Sequence, residues 1–123
     1  MAQPRPVPQF LNIIGRREKG QFVTAIEPFR ELRLERFTVV VWQNQSETPV
    51  RIRIGSGKEC REASQTTLLY LGAEFLMARC YVTQKPIAAG GVLQTEFEEA
   101  GRFQYEIEYV GEKVRETGVI TVY

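Results

Sequence analysis

The chain has 123 residues, with 16 Lys+Arg against 15 Asp+Glu, a formal net charge of +1 and 43% hydrophobic residues. Those values suit one soluble globular domain, 1–123, and give neither the basic stripe of a nucleic-acid protein nor the polybasic patch of a membrane-surface binder. No run of about 18 apolar residues is present, so no membrane insertion is expected. The chain contains no histidine, which removes the commonest general base, the commonest metal ligand and every histidine-dependent triad.

The first residues, Met1-Ala2-Gln3-Pro4-Arg5-Pro6-Val7-Pro8, read as part of an extended arm over 1–9 with no apolar signal core. Ala2-Gln3 would also suit the flank of a signal-peptide cleavage site, with the initiator Met replacing a removed leader. From Phe22 to Ile54 the pattern alternates with period two and is rich in β-branched residues. Phe37 to Trp42 reads as a strand buried on both faces. Asn44 to Pro49 is a polar turn, and in the next strand Val50, Ile52 and Ile54 face the core while Arg51 and Arg53 face water.

Gly55-Ser56-Gly57-Lys58 ends that strand and opens the stretch 55–82. Within it Glu62 to Leu71 is the one helix candidate, with Ser64 or Thr66 as its cap and Gly72 as its stop. Strands are expected again at Cys80 to Thr83, at Val92 to Glu98 after the Pro86 and Gly90-Gly91 turns, and after Gly101. There Phe103, Tyr105, Ile107 and Tyr109 share one face, and Gln104, Glu106 and Glu108 the other. Val119 to Tyr123 closes the chain as a last strand. The predicted fold class is all-β: an antiparallel Greek-key β-sandwich of seven or eight strands with one short helix.

The order of motifs resembles the cupredoxin family, the small blue-copper electron-transfer proteins. The resemblance rests on the Asn44–Pro49 loop followed by Val50, on Ile87-Ala88-Ala89-Gly90-Gly91, on Thr95-Glu96-Phe97, on Gly101-Arg102-Phe103-Gln104-Tyr105-Glu106-Ile107, and on Gly118-Val119-Ile120-Thr121-Val122. It implies that 55–82 is a variable insertion carrying the helix, and a metal site built from two imidazoles, a thiolate and a weak axial thioether. The matching positions here carry Val50 and Val110 for the two histidines, Ile107 for the cysteine and Glu116 for the methionine. The resemblance therefore implies a scaffold without its copper, with no cofactor expected. It further implies a non-enzymatic module, outside the cytoplasm, that binds an unidentified protein partner through the former ligand-loop end at Pro49, Val50, Tyr109 and Val110.

Cys60 and Cys80 are the only cysteines. In an exported protein they read as a structural disulfide; otherwise they are buried or free thiols. A redox couple, or a Cu(I) site with Met77, is the alternative function, since thiolate and thioether are soft ligands. The spacing is not Cys-x-x-Cys, and two cysteines cannot close a zinc site.

Gly55-Ser56-Gly57-Lys58 fails the phosphate-loop pattern, and Asn44-Gln45-Ser46 fits a glycosylation sequon that matters only in a glycosylating pathway. Glutamates crowd the C-terminal third and arginines the first half, so neighbouring strands should meet in cross-strand ion pairs. An enzyme would need one of those glutamates desolvated in a pocket.

Overall fold

The computed structural model describes residues 5–55, 60–63, 69–72 and 80–123. Eleven strands are seen among them: β1 (Gln9–Glu18), β2 (Gln21–Glu27), β3 (Glu31–Leu34), β4 (Thr38–Asn44), β5 (Val50–Gly55), β6 (Arg61–Ala63), β7 (Leu69–Leu71), β8 (Cys80–Thr83), β9 (Val92–Phe97), β10 (Gly101–Tyr109) and β11 (Arg115–Val122). They form a five-stranded sheet in the order β2-β1-β4-β9-β7 and a six-stranded sheet in the order β3-β11-β10-β5-β8-β6.

Alternation decides what each sheet buries. Leu11, Ile13, Val40, Trp42, Leu93 and Phe97 from the first sheet meet Val50, Ile52, Ile54, Phe103, Tyr105, Ile107, Tyr109, Ile120 and Val122 from the second, all of them buried. Trp42 lies edge-on to Tyr105 at 5.0 Å between ring centroids, and its indole N–H donates to Thr95 Oγ1 at 3.0 Å. The largest core side chain thereby keeps its polar atom paired.

Two expectations change. The sheets are mixed rather than antiparallel: β1 with β4, β3 with β11, β6 with β8 and β7 with β9 run parallel. The chain repeatedly crosses between the sheets, for instance from β2 to β3 and from β4 to β5, so neighbouring strands are often not hairpin partners. Among the described residues the helix expected over Glu62 to Leu71 is not seen. Its two ends are the strands β6 and β7, each pairing parallel to a strand of a different sheet. Ser64, Thr66 and Leu68 lie outside the described residues, as do Ser56, Gly57, Lys58 and Met77. The leucines of this stretch satisfy strand alternation as well as helical spacing, and tertiary pairing decides between the two.

Among the described residues no helix is long and apolar enough to cross a membrane.

Candidate functional site

At one end of the sandwich the chain turns from β4 into β5 through Asn44–Pro49 and from β10 into β11 through 110–114. Asn44 organises the first turn from inside. Its side-chain amide donates to the carbonyls of Thr48 and Ile87, both at 2.9 Å. Its carbonyl oxygen accepts from the Ser46 backbone N–H at 3.0 Å and from the Ser46 hydroxyl at 2.6 Å. All four hydrogen-bonding capacities of the side chain that matter for a buried amide are thus used. The two turns are tied together: Val110 N–H donates to the Pro49 carbonyl at 2.9 Å, and the Thr48 hydroxyl donates to the Val110 carbonyl at 2.9 Å.

Beneath these turns lie the positions that the family resemblance marks. Val50 pairs with Tyr109 across the β5–β10 ladder and Ile52 with Ile107, so Val50 and Ile107 are one diagonal step apart on the inner face. Both are fully buried. Ile107 also pairs with Glu116 on β11, which brings a third marked position to the same face. Val110 does not join them; it is 38% exposed on the turn.

None of the three converging side chains is free to serve as a metal ligand. Valine and isoleucine have no donor atom. The Glu116 carboxylate is buried, accepts a hydrogen bond from Thr24 Oγ1 at 2.6 Å and pairs with the Arg30 guanidinium at 2.9 Å. The residues present therefore do not fit a blue-copper ion, and among the described residues no group of three or more His, Cys, Asp or Glu side chains could hold another metal.

Tyr109 fills much of the remaining space. Its ring is fully buried and lies edge-on to Phe22 at 5.3 Å, and its hydroxyl donates to the Ile14 carbonyl at 2.7 Å. Four positions further toward the other end, Tyr105 makes the equivalent bond to the Arg30 carbonyl at 2.7 Å. A Cβ at Gly118 would collide with both the Tyr105 hydroxyl and the Arg30 carbonyl, so only glycine admits this bond. Burial pushes both phenols well above the usual tyrosine value, and the Glu116 carboxylate raises them further.

The contact surface expected at Pro49, Val50, Tyr109 and Val110 is thereby reduced. Val50 and Tyr109 obey the inward parity of their strands and cannot touch a partner; Pro49 and Val110 are exposed. Val114, on the same turn as Val110, is 39% exposed. Glu116 could have been assigned to the interior from sequence, because it shares parity with Gly118, Ile120 and Val122. Its partners Thr24 and Arg30, distant in the chain, carry no local signal.

Cys60 and Cys80 form a disulfide with their Cα atoms 4.5 Å apart. The pair therefore offers no thiolate for the soft-metal reading. It joins the segment before β6 to β8, beside Arg51, Arg53 and Arg115 on the outer face of the second sheet. On that face Glu106 and Glu108 stand in register with Arg53 and Arg51, as the charge pattern suggested, and Arg115 closes an ion pair with Glu106.

No protein-family model and no curated protein matches the chain. Solved structures do. A reduced, Cu(I) amicyanin variant superposes with a TM-score of 0.57 at 13% identity, covering 98% of this chain and 87% of that one. An oxidised amicyanin variant gives 0.57 at 16% identity, covering 94% and 82%. A purple cupredoxin from Nitrosopumilus maritimus gives 0.51 at 18% identity, covering 94% of this chain and 99% of its own. The fold is cupredoxin-like. Within this cupredoxin-like sandwich, the positions where the family resemblance places two ligands hold Val50 and Ile107 as buried hydrophobic packing.

Proposed function

We propose that the chain is a copper-free cupredoxin-like module that works by binding a protein partner, not by electron transfer or catalysis, and that it does so outside the cytoplasm. One observation carries this reading: the loop scaffold around Asn44 is kept intact while aliphatic side chains occupy the interior beneath it. A scaffold retained without donor atoms is suited to presenting a surface. The surface consists of Pro49, Val110 and Val114, held rigidly because Thr48, Pro49 and Val110 bond one another. The Cys60–Cys80 disulfide supports an oxidising compartment, where such bonds persist.

The test places a photo-crosslinking phenylalanine at Val110 and, separately, at Arg102 on the far end of β10, in the protein expressed in its native host. A discrete adduct from Val110 and none from Arg102 is expected. Equal labelling from both positions, or no adduct from Val110, overturns the assignment of the binding surface.

A further inference from the structure

The opposite end of the sandwich holds a groove of about 640 Å³, within the size range of ligand sites. Its lining combines three aromatic rings, Phe37, Tyr70 and Tyr123, with three carboxylates, Glu35, Glu96 and Glu98, which outnumber the two arginines there, Arg5 and Arg36. Phe37, Tyr70 and Tyr123 are each more than half exposed. The rings of Phe37 and Tyr70 are thereby open to whatever enters, whereas the Tyr123 ring already carries the Arg33 guanidinium 5.5 Å from its centroid.

Glu96 is the unusual member. It projects from the outer face of β9, yet its side chain is only 6% exposed. A carboxylate so far removed from water needs a cation. The partner the structure gives it is the guanidinium of Arg5, 3.1 Å away, on a side chain that is itself 76% exposed. Arg5 belongs to an irregular segment ahead of β1, with Pro6 also against the groove. The buried charge is thus met by a side chain that little else holds in place.

We propose that this groove is a recognition site for an arginine side chain carried on an extended, proline-flanked peptide, and that Arg5 is an intramolecular stand-in for that ligand. Carboxylates and ring faces together select a planar cation: the former through charge-assisted hydrogen bonds, the latter through cation–π attraction. Guanidinium satisfies both better than ammonium, which lacks a flat face to stack. Proline at either side keeps such a segment extended and lowers the entropy lost on docking. In the natural chain Arg5 competes for Glu96, so an external arginine gains full access only when Arg5 is displaced. This site is independent of the surface at Pro49 and Val110.

The experiment titrates the isotope-labelled full chain with the end-blocked peptide Pro-Arg-Pro-Val-Pro and follows backbone amide shifts. In an Arg5→Ala chain, saturable shifts are expected at Phe37, Tyr70 and Glu96, with binding about five-fold tighter than in the natural chain, the effect of removing one competing ion pair. Adding Glu96→Gln should weaken that binding by about five-fold or more, with amide dispersion elsewhere unchanged. If Glu96→Gln disturbs folding, Tyr70→Ser on the groove wall serves as the second variant and should weaken binding likewise. Absence of saturable shifts in the Arg5→Ala chain overturns the proposal. Equal binding of the same peptide with citrulline in place of arginine also overturns it, because recognition would then not depend on the charge.

Discussion

The two ends of this sandwich satisfy their buried polar groups in opposite ways. At the loop end, Asn44, Ser46, Thr48 and Tyr109 spend their hydrogen bonds on backbone carbonyls and on one another. At the far end, the Glu96 carboxylate relies on an exposed arginine from the segment before the first strand. The loop end is closed around an apolar interior, and what it presents outward is fixed. The far end keeps a buried charge whose partner can be exchanged. A polar network completed internally confers rigidity, whereas a charge completed from a loose segment confers responsiveness.

Matched substitutions at the two ends should therefore differ in size. The largest effect is expected for Asn44→Ala, which strips the turn of its organiser and leaves Ser46 N–H buried without that acceptor; a loss of about 3 kcal/mol in denaturant unfolding is expected. Tyr109→Phe removes one buried donor while keeping the ring, and should cost about 1–2 kcal/mol. Arg5→Ala at the far end should cost about 1 kcal/mol, because the arginine is largely solvated and its removal opens the groove so that water reaches the Glu96 carboxylate. The smallest effect is expected for Val110→Asp, which exchanges an exposed side chain and should stay within about 0.5 kcal/mol, while abolishing capture of the partner. An Arg5→Ala loss as large as that of Asn44→Ala would erase the contrast between the ends.

Tyr105 and Tyr109 give the comparison a pH dependence. Their folded-state values lie above the ordinary value of 10.0, so the fold favours the protonated phenol. That contribution is fully present below about pH 10, the unfolded value, and is lost as pH rises toward the folded values. Phenolate absorbance should therefore show Tyr105 and Tyr109 ionising only well above pH 10, together with alkaline unfolding. In Tyr109→Phe one late-titrating group should disappear.

Much of the fold is legible in the sequence because strand parity is strict. The alternation of Val50, Ile52 and Ile54, and of Phe103, Tyr105, Ile107 and Tyr109, marks the core residues that the structure buries. The same parity rule also places Val50 and Tyr109 inside, so their assignment to a contact surface gave way to packing. The stretch from Glu62 to Leu71 reads as a helix in the sequence because the two short strands at its ends, each joined to a partner in a different sheet, leave no local pattern to distinguish them from one. The groove at the far end was not legible at all. Glu96 lies on the outward parity of β9, where sequence alone predicts a solvated glutamate, and its burial depends on chain that packs over it from elsewhere.

The central claim is that hydrophobic packing has replaced the metal centre of this cupredoxin-like fold. It is tested most directly by equilibrating the disulfide-intact protein with Cu(II), and separately with Cu(I), removing loosely held ion by dialysis, and measuring bound copper together with the visible absorption spectrum. No stoichiometric copper and no thiolate-to-copper band are expected. One tightly retained copper per chain, lost on substituting Glu116 or a cysteine, would contradict the claim.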